Sequence, residues 1–146
     1  MLPRAEFGCL ISHYNVLLNT RSELTLILED DFELCDDFDE KLVKCLNELP
    51  SDFNGLWLGG RRLVGKGKEY SENLLSISGI TGTYGYIIHR RFIGKCLAAL
   101  EKKNKLADWA LSSVFEKVYK SKENLVKHKD GYSEIKKQFV SYKDLR

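Results

Sequence analysis

The chain has 146 residues, of which 43% are hydrophobic and 30% charged, and its net charge is +2. This length and composition are typical of one compact globular domain, and they exclude disordered, collagen-like and two-domain architectures. The small net charge predicts no nucleic-acid partner, and no apolar run is long enough to span a membrane. We therefore expect a single domain over residues 1–146. The lack of a signal-peptide pattern predicts a cytoplasmic location.

Hydrophobic spacing predicts helices and strands in alternation over the first half of the chain. Apolar residues at helical intervals predict a helix over residues 5–18 and another over about residues 37–49, which Pro50 ends. Between these helices, the continuous apolar run at residues 24–28 is typical of a strand that is buried on both faces. A second, short strand is predicted at residues 56–58.

The second half of the chain continues the same alternation. Residues 74–88 are rich in Ser, Thr, Ile, Tyr and Gly and predict one or two strands. Helices are predicted over about residues 91–102 and 107–119, followed by a short strand near residues 125–126. Strands and helices in this order predict an α/β sandwich with a mixed, mainly parallel sheet flanked by helices.

Carboxylates are concentrated at the end of the first predicted strand. Eight of the 21 acidic residues lie between Glu29 and Glu40, with no basic residue among them. The alternation of side chains sends Glu29 and Asp31 to one side and Asp30 to the other. Carboxylates at a strand terminus suit Mg²⁺ or Mn²⁺, especially when substrate phosphates complete the shell. A solvated acidic turn would show the same pattern, so both interpretations stay open.

Residues 60–67 match the GxxxxGK portion of a phosphate-binding P-loop. Gly67 stands where a hydroxyl residue should follow the lysine, and the next segment lacks a helical apolar stripe. A flexible basic loop over an anion, or a plain solvated loop, fits these residues better than a P-loop.

Isolated cysteines, histidines and aromatic residues give weaker signals. His13, within an apolar helix, is typical of a structural histidine, and His89 and His128 are interpreted as surface or partner-satisfied histidines. Asp108 lies where a helix cap would be expected. The four cysteines lack metal-binding spacing, which predicts free and mostly buried thiols. Three aromatic residues could stack on a sugar or base, although such residues more often belong to the core: Tyr84, Tyr86 and Trp109.

Five segments follow one another in the order of a known family. They are GCLISH at residues 8–13, LEDD at 28–31, TYGYII at 83–88, the acidic Asp108-Trp109 pair, and YSEI at 132–135. They resemble five landmarks of glycosyltransferase family 25. The first three segments resemble its GCxxSH helix, its LEDD metal site and its TxxYxI strand. The last two resemble a later acidic position and the SDI ending. This family comprises lipopolysaccharide-type β-galactosyltransferases related to the collagen galactosyltransferases.

The resemblance implies a GT-A, Rossmann-like fold and transfer of galactose or a related hexose. The donor would be a nucleotide-sugar such as a UDP-sugar, and the acceptor a hydroxyl group on a glycan or protein. It further implies that Glu29, Asp30 and Asp31 hold Mn²⁺ or Mg²⁺ against the donor diphosphate. An inverting transfer needs a carboxylate that takes the acceptor proton, and Asp108 is the candidate for this base.

The remaining site residues are candidates for substrate binding and support. Arg61 and Arg62 would contact phosphate or acceptor, and Tyr84 and Trp109 would also bind substrate. Ser12 and His13 would brace the strand that bears the metal ligands rather than touch substrate.

Members of the family normally carry several tens of residues before the GCxxSH helix, and that segment contacts the donor base and ribose. Seven residues precede Gly8 here, so we expect a truncated GT-A-like fold. Three hypotheses follow. The first is an active enzyme, alone or completed by a protein partner. The second is a catalytically silent remnant that serves as a structural or interaction module, with its basic tail docked on an acidic partner, and the third is an unrelated metal-dependent enzyme that handles nucleotides.

Overall fold

A computed structural model of the chain describes residues 1–133 and 138–140, with side chains described up to residue 131. The helices are α1 (Arg4–Asn19), α2 (Phe38–Glu48), α3 (Arg90–Glu101) and α4 (Ala107–Ser112). The strands are β1 (Leu24–Leu28), β2 (Phe32–Leu34), β3 (Gly55–Trp57), β4 (Arg62–Leu63), β5 (Lys68–Glu69), β6 (Leu74–Ile77), β7 (Ile80–Thr81), β8 (Gly85–His89), β9 (Val118–Ser121), β10 (Val126–His128), β11 (Gly131–Ser133) and β12 (Gln138–Val140).

Six strands form the central sheet in the order β1-β8-β3-β9-β6-β5. The remaining strands pair as three ribbons, β2 with β10, β4 with β7, and β11 with β12. The α/β class and the mixed sheet flanked by helices are confirmed. The sheet is mostly antiparallel, however, because β3 and β9 form its one parallel pair among the described strands.

The prediction of a mainly parallel sheet is wrong for a topological reason. A parallel neighbour requires a crossover connection, usually a helix. The connection between β3 and β8 contains only short strands, so the chain returns in the opposite direction and β8 inserts between β1 and β3. Helices α3 and α4 connect β8 to β9. Strand β9 does not pair with β8, however, but with β3, and β3 and β9 run parallel.

Helices cover both faces of the sheet and bury two hydrophobic clusters. Tyr86 and Ile88 of β8 face the cluster beneath α1, α3 and α4, and Ile87 between them faces the cluster beneath α2. Tyr86 also stacks on Trp57, with ring centroids 4.6 Å apart and planes 9° from parallel. Because β8 lies inside the sheet and is covered on both faces, its apolar residues form a continuous run.

Strand β1 lies at an edge of the central sheet. Its Leu24 and Leu26 side chains are 43% and 41% exposed, whereas Ile27, on the opposite face, is buried. Leu28, farther along the exposed face, packs against the cluster beneath α2. The prediction that this run is buried on both faces is therefore wrong, because the cluster beneath α2 covers the second face of β1 only at Leu28.

The other predicted elements are present with shifted limits. Helices α1, α2 and α3 and strand β3 agree with the predicted ranges to within about two residues, and a short strand is confirmed near residue 126. The predicted helix over residues 107–119 ends instead at Ser112. Lys117 adopts a left-handed conformation with φ of 52°, and Val118 and Tyr119 then enter β9. Their burial within the sheet outweighs any continuation of the helix.

The glycine-rich segment after β3 does not form a P-loop. Residues 62–63 form β4, and Lys68 and Glu69 form β5 directly after the GxxxxGK pattern. A P-loop needs a helix there, because the N-terminus of that helix binds the phosphates. The hypothesis of an unrelated nucleotide-handling enzyme loses this support.

Two further sequence predictions concern thiols and membranes. All four cysteines are free, and Cys35, Cys45 and Cys96 are buried while Cys9 is half-buried, as predicted. Among residues 1–133, no helix combines the length and apolar character that a membrane span requires.

Close backbone approach places β10 against the central sheet. A Cβ atom on Gly59 would lie 2.0 Å from the carbonyl oxygen of Val126, and one on Gly85 would lie 2.7 Å from the Val126 Cβ. The Val126 N–H donates to the Leu58 carbonyl oxygen at 3.0 Å. Glycine at these positions therefore sets where β10 lies and where His128, at its end, is presented.

We expect Gly59→Ala to destabilise the fold, because the added methyl group would overlap the Val126 carbonyl oxygen. The free energy of unfolding should fall by about 3 kcal/mol, the upper part of the range for overpacking. Urea denaturation followed by circular dichroism measures this loss. Gly94→Ala is the matched control, because nothing lies within 4 Å of its added Cβ on α3 and the change should stabilise the helix by about 0.5–1 kcal/mol. Equal stabilities of the two variants would contradict the packing argument.

A second link joins the end of α2 to the loop before β6. The Glu48 carboxylate accepts hydrogen bonds from the Ser71 hydroxyl, from the Asn73 N–H at 3.0 Å and from the Asn73 amide at 2.5 Å. The hydrogen bond from Ser71 is the largest cause that holds the pKa of Glu48 below its ordinary value of 4.5. A lowered pKa means that this carboxylate stabilises the fold above pH 4.5, and that the contribution is lost as the pH falls through the folded-state pKa.

We expect Glu48→Gln to lower the free energy of unfolding by about 1 kcal/mol at pH 7, the usual net value of such hydrogen bonds. The difference from the wild type should shrink below pH 4.5, which urea titrations at several pH values would follow. Glu40→Gln on the same helix is the control, because Glu40 is exposed, pairs with exposed Lys44 and should change stability little. A loss that does not depend on pH would show that the charge of Glu48 is unimportant.

Candidate functional site

A cleft of about 510 Å³ opens beyond the end of β1. Its walls come from the first half of α1, the turn after β1, the turn before β8, the start of α4 and the segment that follows β10. The carboxyl end of a strand is where α/β folds commonly bind ligands. The cleft therefore brings together sequence segments that are far apart in the chain.

Glu29 is the most tightly held carboxylate of the cleft. Its Oε1 accepts a hydrogen bond from the Thr83 hydroxyl at 2.5 Å and lies 3.2 Å from Nε2 of His13. Its backbone N–H donates to the Tyr84 carbonyl oxygen at 3.2 Å. Burial raises the pKa of Glu29, but the hydrogen bonds from His13 and Thr83 outweigh burial and hold that pKa below its ordinary value. Glu29 is therefore an anion at neutral pH.

His13 ties Glu29 to the main core. Its ring is buried, and Nδ1 lies 2.9 Å from the Tyr86 hydroxyl oxygen, while Tyr86 in turn stacks on Trp57. His13 thus contacts Glu29 through one ring nitrogen and Tyr86 through the other. Ser12 lies elsewhere: its side chain is exposed and its hydroxyl donates to the Gly8 carbonyl oxygen at 3.0 Å, within the same helix.

Asp31 is paired with His128. Its Oδ2 lies 2.9 Å from Nε2 of His128, and its carbonyl oxygen accepts from the Lys129 N–H at 2.8 Å. Nδ1 of His128 lies 2.9 Å from the Lys129 carbonyl oxygen. Because both ring nitrogens face acceptors, the ring satisfies both when it carries two protons.

The pKa values of this pair agree with the geometry. Burial lowers the pKa of His128, but the hydrogen bond to Asp31 outweighs burial and raises that pKa above its ordinary value. The same hydrogen bond is the largest cause that lowers the pKa of Asp31. When protonated, His128 therefore places a positive charge beside Asp31, with Nε2 2.9 Å from Oδ2.

Three potential metal ligands converge in this cleft. One donor atom each from Glu29, Asp31 and His128 lies within 4.8 Å of the other two. The Oδ1 atom of Asp31 is buried and has no hydrogen-bond partner in the part of the chain that the structure describes. Two carboxylates and an imidazole suit Mn²⁺ or Mg²⁺, so these residues fit a divalent cation.

The geometry agrees with the predicted alternation of side chains in the acidic turn. Glu29 and Asp31 belong to the converging group, whereas Asp30 is exposed and lies outside it, although it lines the cleft.

Asp108 lies in the first turn of α4 and also lines the cleft. Its Oδ2 accepts from the Gly82 N–H at 2.9 Å and its Oδ1 from the Trp109 N–H at 2.8 Å. Gly82 has a φ of 95°, which favours glycine, and this turn aims its N–H at the carboxylate. The N-cap of α4 is Leu106, so Asp108 does not take the capping position. Its two hydrogen bonds fix the orientation of the carboxylate.

The predicted substrate-binding residues fall into two neighbouring depressions. Arg61 lines the main cleft, and Arg62 and Trp109 line a second depression of about 290 Å³ together with Thr81. Tyr84 also lines the main cleft, but its ring is buried and packs edge-on against His128, with centroids 5.5 Å apart. Tyr84 thus packs against His128 of the site, and little of its ring is exposed for stacking on a substrate.

Cys9 is a further residue of the cleft; it lies in the GCxxSH motif but is not among the predicted site residues. It lies one turn before His13 on α1 and lines the cleft beside Glu29. Burial, and next the charges of the surrounding carboxylates, raise the pKa of this thiol to about 12.

Sequence patterns also missed Thr83 and His128 as parts of the site. Thr83 lies in the segment that resembles the family's TxxYxI strand, so that segment was the available signal. His128 has no local signal, because the antiparallel pairing of β10 with β2 sets it opposite Phe32 and beside Asp31. The YSEI segment at residues 132–135 extends beyond the residues whose side chains are described.

Comparison with known proteins identifies the class to which this site belongs. Residues 1–111 match the sequence profile of Glycosyltransferase family 25 (LPS biosynthesis protein). The chain belongs to this family, as its ordered motifs indicate.

Two curated relatives illustrate the extent of the similarity. The chain is 31% identical over 97 residues to procollagen galactosyltransferase 2 of Homo sapiens, a match that covers 60% of this chain and 16% of that protein. It is 28% identical over 115 residues to procollagen galactosyltransferase 1 of Danio rerio, which covers 72% of this chain and 19% of that protein. The chain thus spans less than a fifth of the length of these relatives.

Proposed function

We propose that this chain forms the metal-binding part of a glycosyltransferase that transfers galactose or a related hexose from a UDP-sugar to a hydroxyl group on a glycan or protein. The observation that carries the proposal is the convergence of Glu29, Asp31 and His128 in the cleft of a family 25 chain. The relatives are procollagen galactosyltransferases, which supports galactose as the transferred sugar.

Glu29, Asp31 and His128 would hold the Mn²⁺ or Mg²⁺. A divalent cation at this position offsets the negative charge of the donor diphosphate as the nucleotide leaves. Two of the three ligands have support from the fold, since His13 and Thr83 orient Glu29 while the Lys129 carbonyl oxygen orients the His128 ring. A histidine ligand usually donates its second N–H to a backbone carbonyl, which is the arrangement seen at His128.

Arg61 supplies a positive charge on the wall of the same cleft. A guanidinium group matches two phosphate oxygens at once, so Arg61 is the candidate contact for the donor diphosphate. Its charge also contributes to the low pKa of Asp31, which places the two groups within electrostatic reach of each other.

Asp108 is proposed as the general base. The acceptor hydroxyl oxygen attacks the anomeric carbon, its proton moves to the Asp108 carboxylate, and the bond to the nucleoside diphosphate breaks. Attack on the face opposite the leaving group inverts the configuration of the sugar. The N–H groups of Gly82 and Trp109 hold the carboxylate in place at the lining of the cleft.

The second depression is the proposed acceptor subsite. It adjoins the main cleft through the Thr81-Gly82 turn, since Thr81 lines the depression and Gly82 lines the cleft. Trp109 is 46% exposed and can stack on the apolar face of a sugar ring, while Arg62 can bind hydroxyl or acidic substituents. An acceptor bound there would lie next to Asp108, because Trp109 follows Asp108 in the chain.

We expect Asp31→Asn to weaken Mn²⁺ binding about 100-fold or more, because it removes a charged ligand whose Oδ1 has no hydrogen-bond partner among the described residues. Electron paramagnetic resonance of free Mn²⁺ measures this binding directly, and calorimetry with UDP and UDP-galactose then measures donor binding in the presence of Mn²⁺. Asp30→Asn is the matched control and should change Mn²⁺ affinity only about threefold, because Asp30 is exposed and outside the converging group. If the wild type fails to bind Mn²⁺, the metal assignment is wrong.

We expect Trp109→Ala to raise the KM for the acceptor about tenfold, the kinetic equivalent of a stacking contact of about 1.4 kcal/mol. Donor binding should not change, because Trp109 lies outside the main cleft. Trp109→Phe should retain most of the affinity, and Tyr70→Ala removes an exposed aromatic ring elsewhere as a control. An unchanged acceptor KM in Trp109→Ala would exclude the second depression as the acceptor subsite.

A further inference from the structure

A second group of metal-ligating side chains lies at the inner end of the cleft. The Sγ of Cys9, a ring nitrogen of His13 and a carboxylate oxygen of Glu29 all lie within 4.8 Å of one another. Cys9 and His13 are four residues apart on α1, a spacing that puts both side chains on one face of the helix. Glu29, at the end of β1, completes the group from the other side.

The chemistry of this group differs from that of the Glu29, Asp31 and His128 group. A thiolate, an imidazole and a carboxylate are the ligands that Zn²⁺ takes in tetrahedral sites, with the fourth position left to water or a ligand. Mn²⁺ prefers oxygen ligands and binds mixed sulfur and nitrogen sites less strongly than Zn²⁺ does. The group around Cys9 is therefore thiophilic, whereas the other group is rich in oxygen.

The spacing of the ligand atoms suits a single ion. His13 Nε2 and Glu29 Oε1 are 3.2 Å apart. Two ligands at about 2.0–2.1 Å from one tetrahedral Zn²⁺ lie about 3.3 Å from each other, so this pair already has the required separation. Cys9 and Glu29 both line the cleft, which gives an ion a route from solvent.

The outer contacts of His13 also fit a metal ligand. Its Nδ1 lies 2.9 Å from the hydroxyl oxygen of fully buried Tyr86. A histidine that binds a metal through Nε2 carries its proton on Nδ1, and the Tyr86 oxygen is placed to accept that hydrogen bond. The ring therefore needs no reorientation to expose its Nε2 lone pair.

We propose that Cys9, His13 and Glu29 form a second metal site that binds Zn²⁺. On binding, the thiol proton of Cys9 is released to solvent and the His13 proton is carried on Nδ1 instead of Nε2. Because Glu29 belongs to both groups, Zn²⁺ at this site opposes Mn²⁺ binding at Glu29, Asp31 and His128. This last consequence rests on the proposed function, whereas the Zn²⁺ site itself does not.

Cobalt replaces zinc in thiolate sites and gives a thiolate-to-cobalt charge-transfer absorption, which makes Co²⁺ the direct probe. We expect the wild-type protein to show this absorption with one equivalent of Co²⁺ and to lose it on addition of Zn²⁺. Cys9→Ser should lose the absorption, and Cys9→Ala repeats the test with a residue that has no hydroxyl. Cys35→Ser is the matched control and should keep it, because Cys35 lies in the other hydrophobic cluster, beneath α2.

Asp31→Asn separates this site from the proposed catalytic metal site. It should keep the Co²⁺–thiolate absorption while it loses Mn²⁺ binding, so failure of one assignment does not imply failure of the other. Zn²⁺ should displace Mn²⁺ from the wild type at about tenfold lower concentration than from Cys9→Ser. Absence of the absorption in the wild type, or its persistence in both Cys9 variants, would overturn the Zn²⁺ site. If the same Zn²⁺ concentration displaces Mn²⁺ from the wild type and from Cys9→Ser, the proposed competition between the two metals is wrong.

Discussion

Two carboxylates placed side by side in a partly buried cleft repel each other, and the architecture around this site offsets that repulsion. Glu29 and Asp31 converge within 4.8 Å, and each faces an imidazole ring, His13 for Glu29 and His128 for Asp31. Like charges at such a distance would normally raise at least one carboxylate pKa. Both pKa values are instead lowered, because hydrogen bonds from His13 and Thr83 to Glu29 and from His128 to Asp31 outweigh the effects that raise them, of which burial is the largest.

The two histidines are anchored to parts of the fold that differ in burial. His13 is buried and belongs to a stack that runs through Tyr86 to Trp57 at the centre of the sheet. His128 lies at the end of the three-residue strand β10, which pairs with the partly exposed β2 and depends on the close approach at Gly59. One carboxylate is thus held by the main core and the other by a surface ribbon. A ligand that changes the spacing of the pair would be expected to move the Asp31 side.

Local patterns predicted much of the fold because the hydrophobic core leaves a regular trace in each segment. Helices α1 to α3 show an apolar stripe, and the period of two along a strand correctly separated Glu29 and Asp31 from Asp30. No local pattern indicates whether a strand runs parallel or antiparallel to its neighbours, since the direction of β8 depends on how the chain returns from β3. The helix predicted past Ser112 failed because burial of Val118 and Tyr119 in the sheet is a tertiary effect.

The candidate site was predictable only where its residues carry a motif. The acidic turn and His13 lie in family motifs, and both reach the cleft. His128 is brought to Asp31 by the register of two short strands far apart in sequence, which no local pattern encodes. The family match does not reveal it either, because that match ends at residue 111.

The position of His128 in the chain has a consequence for biosynthesis. A ribosome releases the acidic turn and the whole family-matching segment well before it releases β10, so the growing chain carries Asp31 without the ring that faces it, whereas Glu29 already has His13 and Thr83. A chain cut between residues 111 and 128 would still be recognised as a family member over its full match, yet it would lack the ring that faces Asp31. The cleft is therefore complete only after β10 and the residues that follow it have been synthesised.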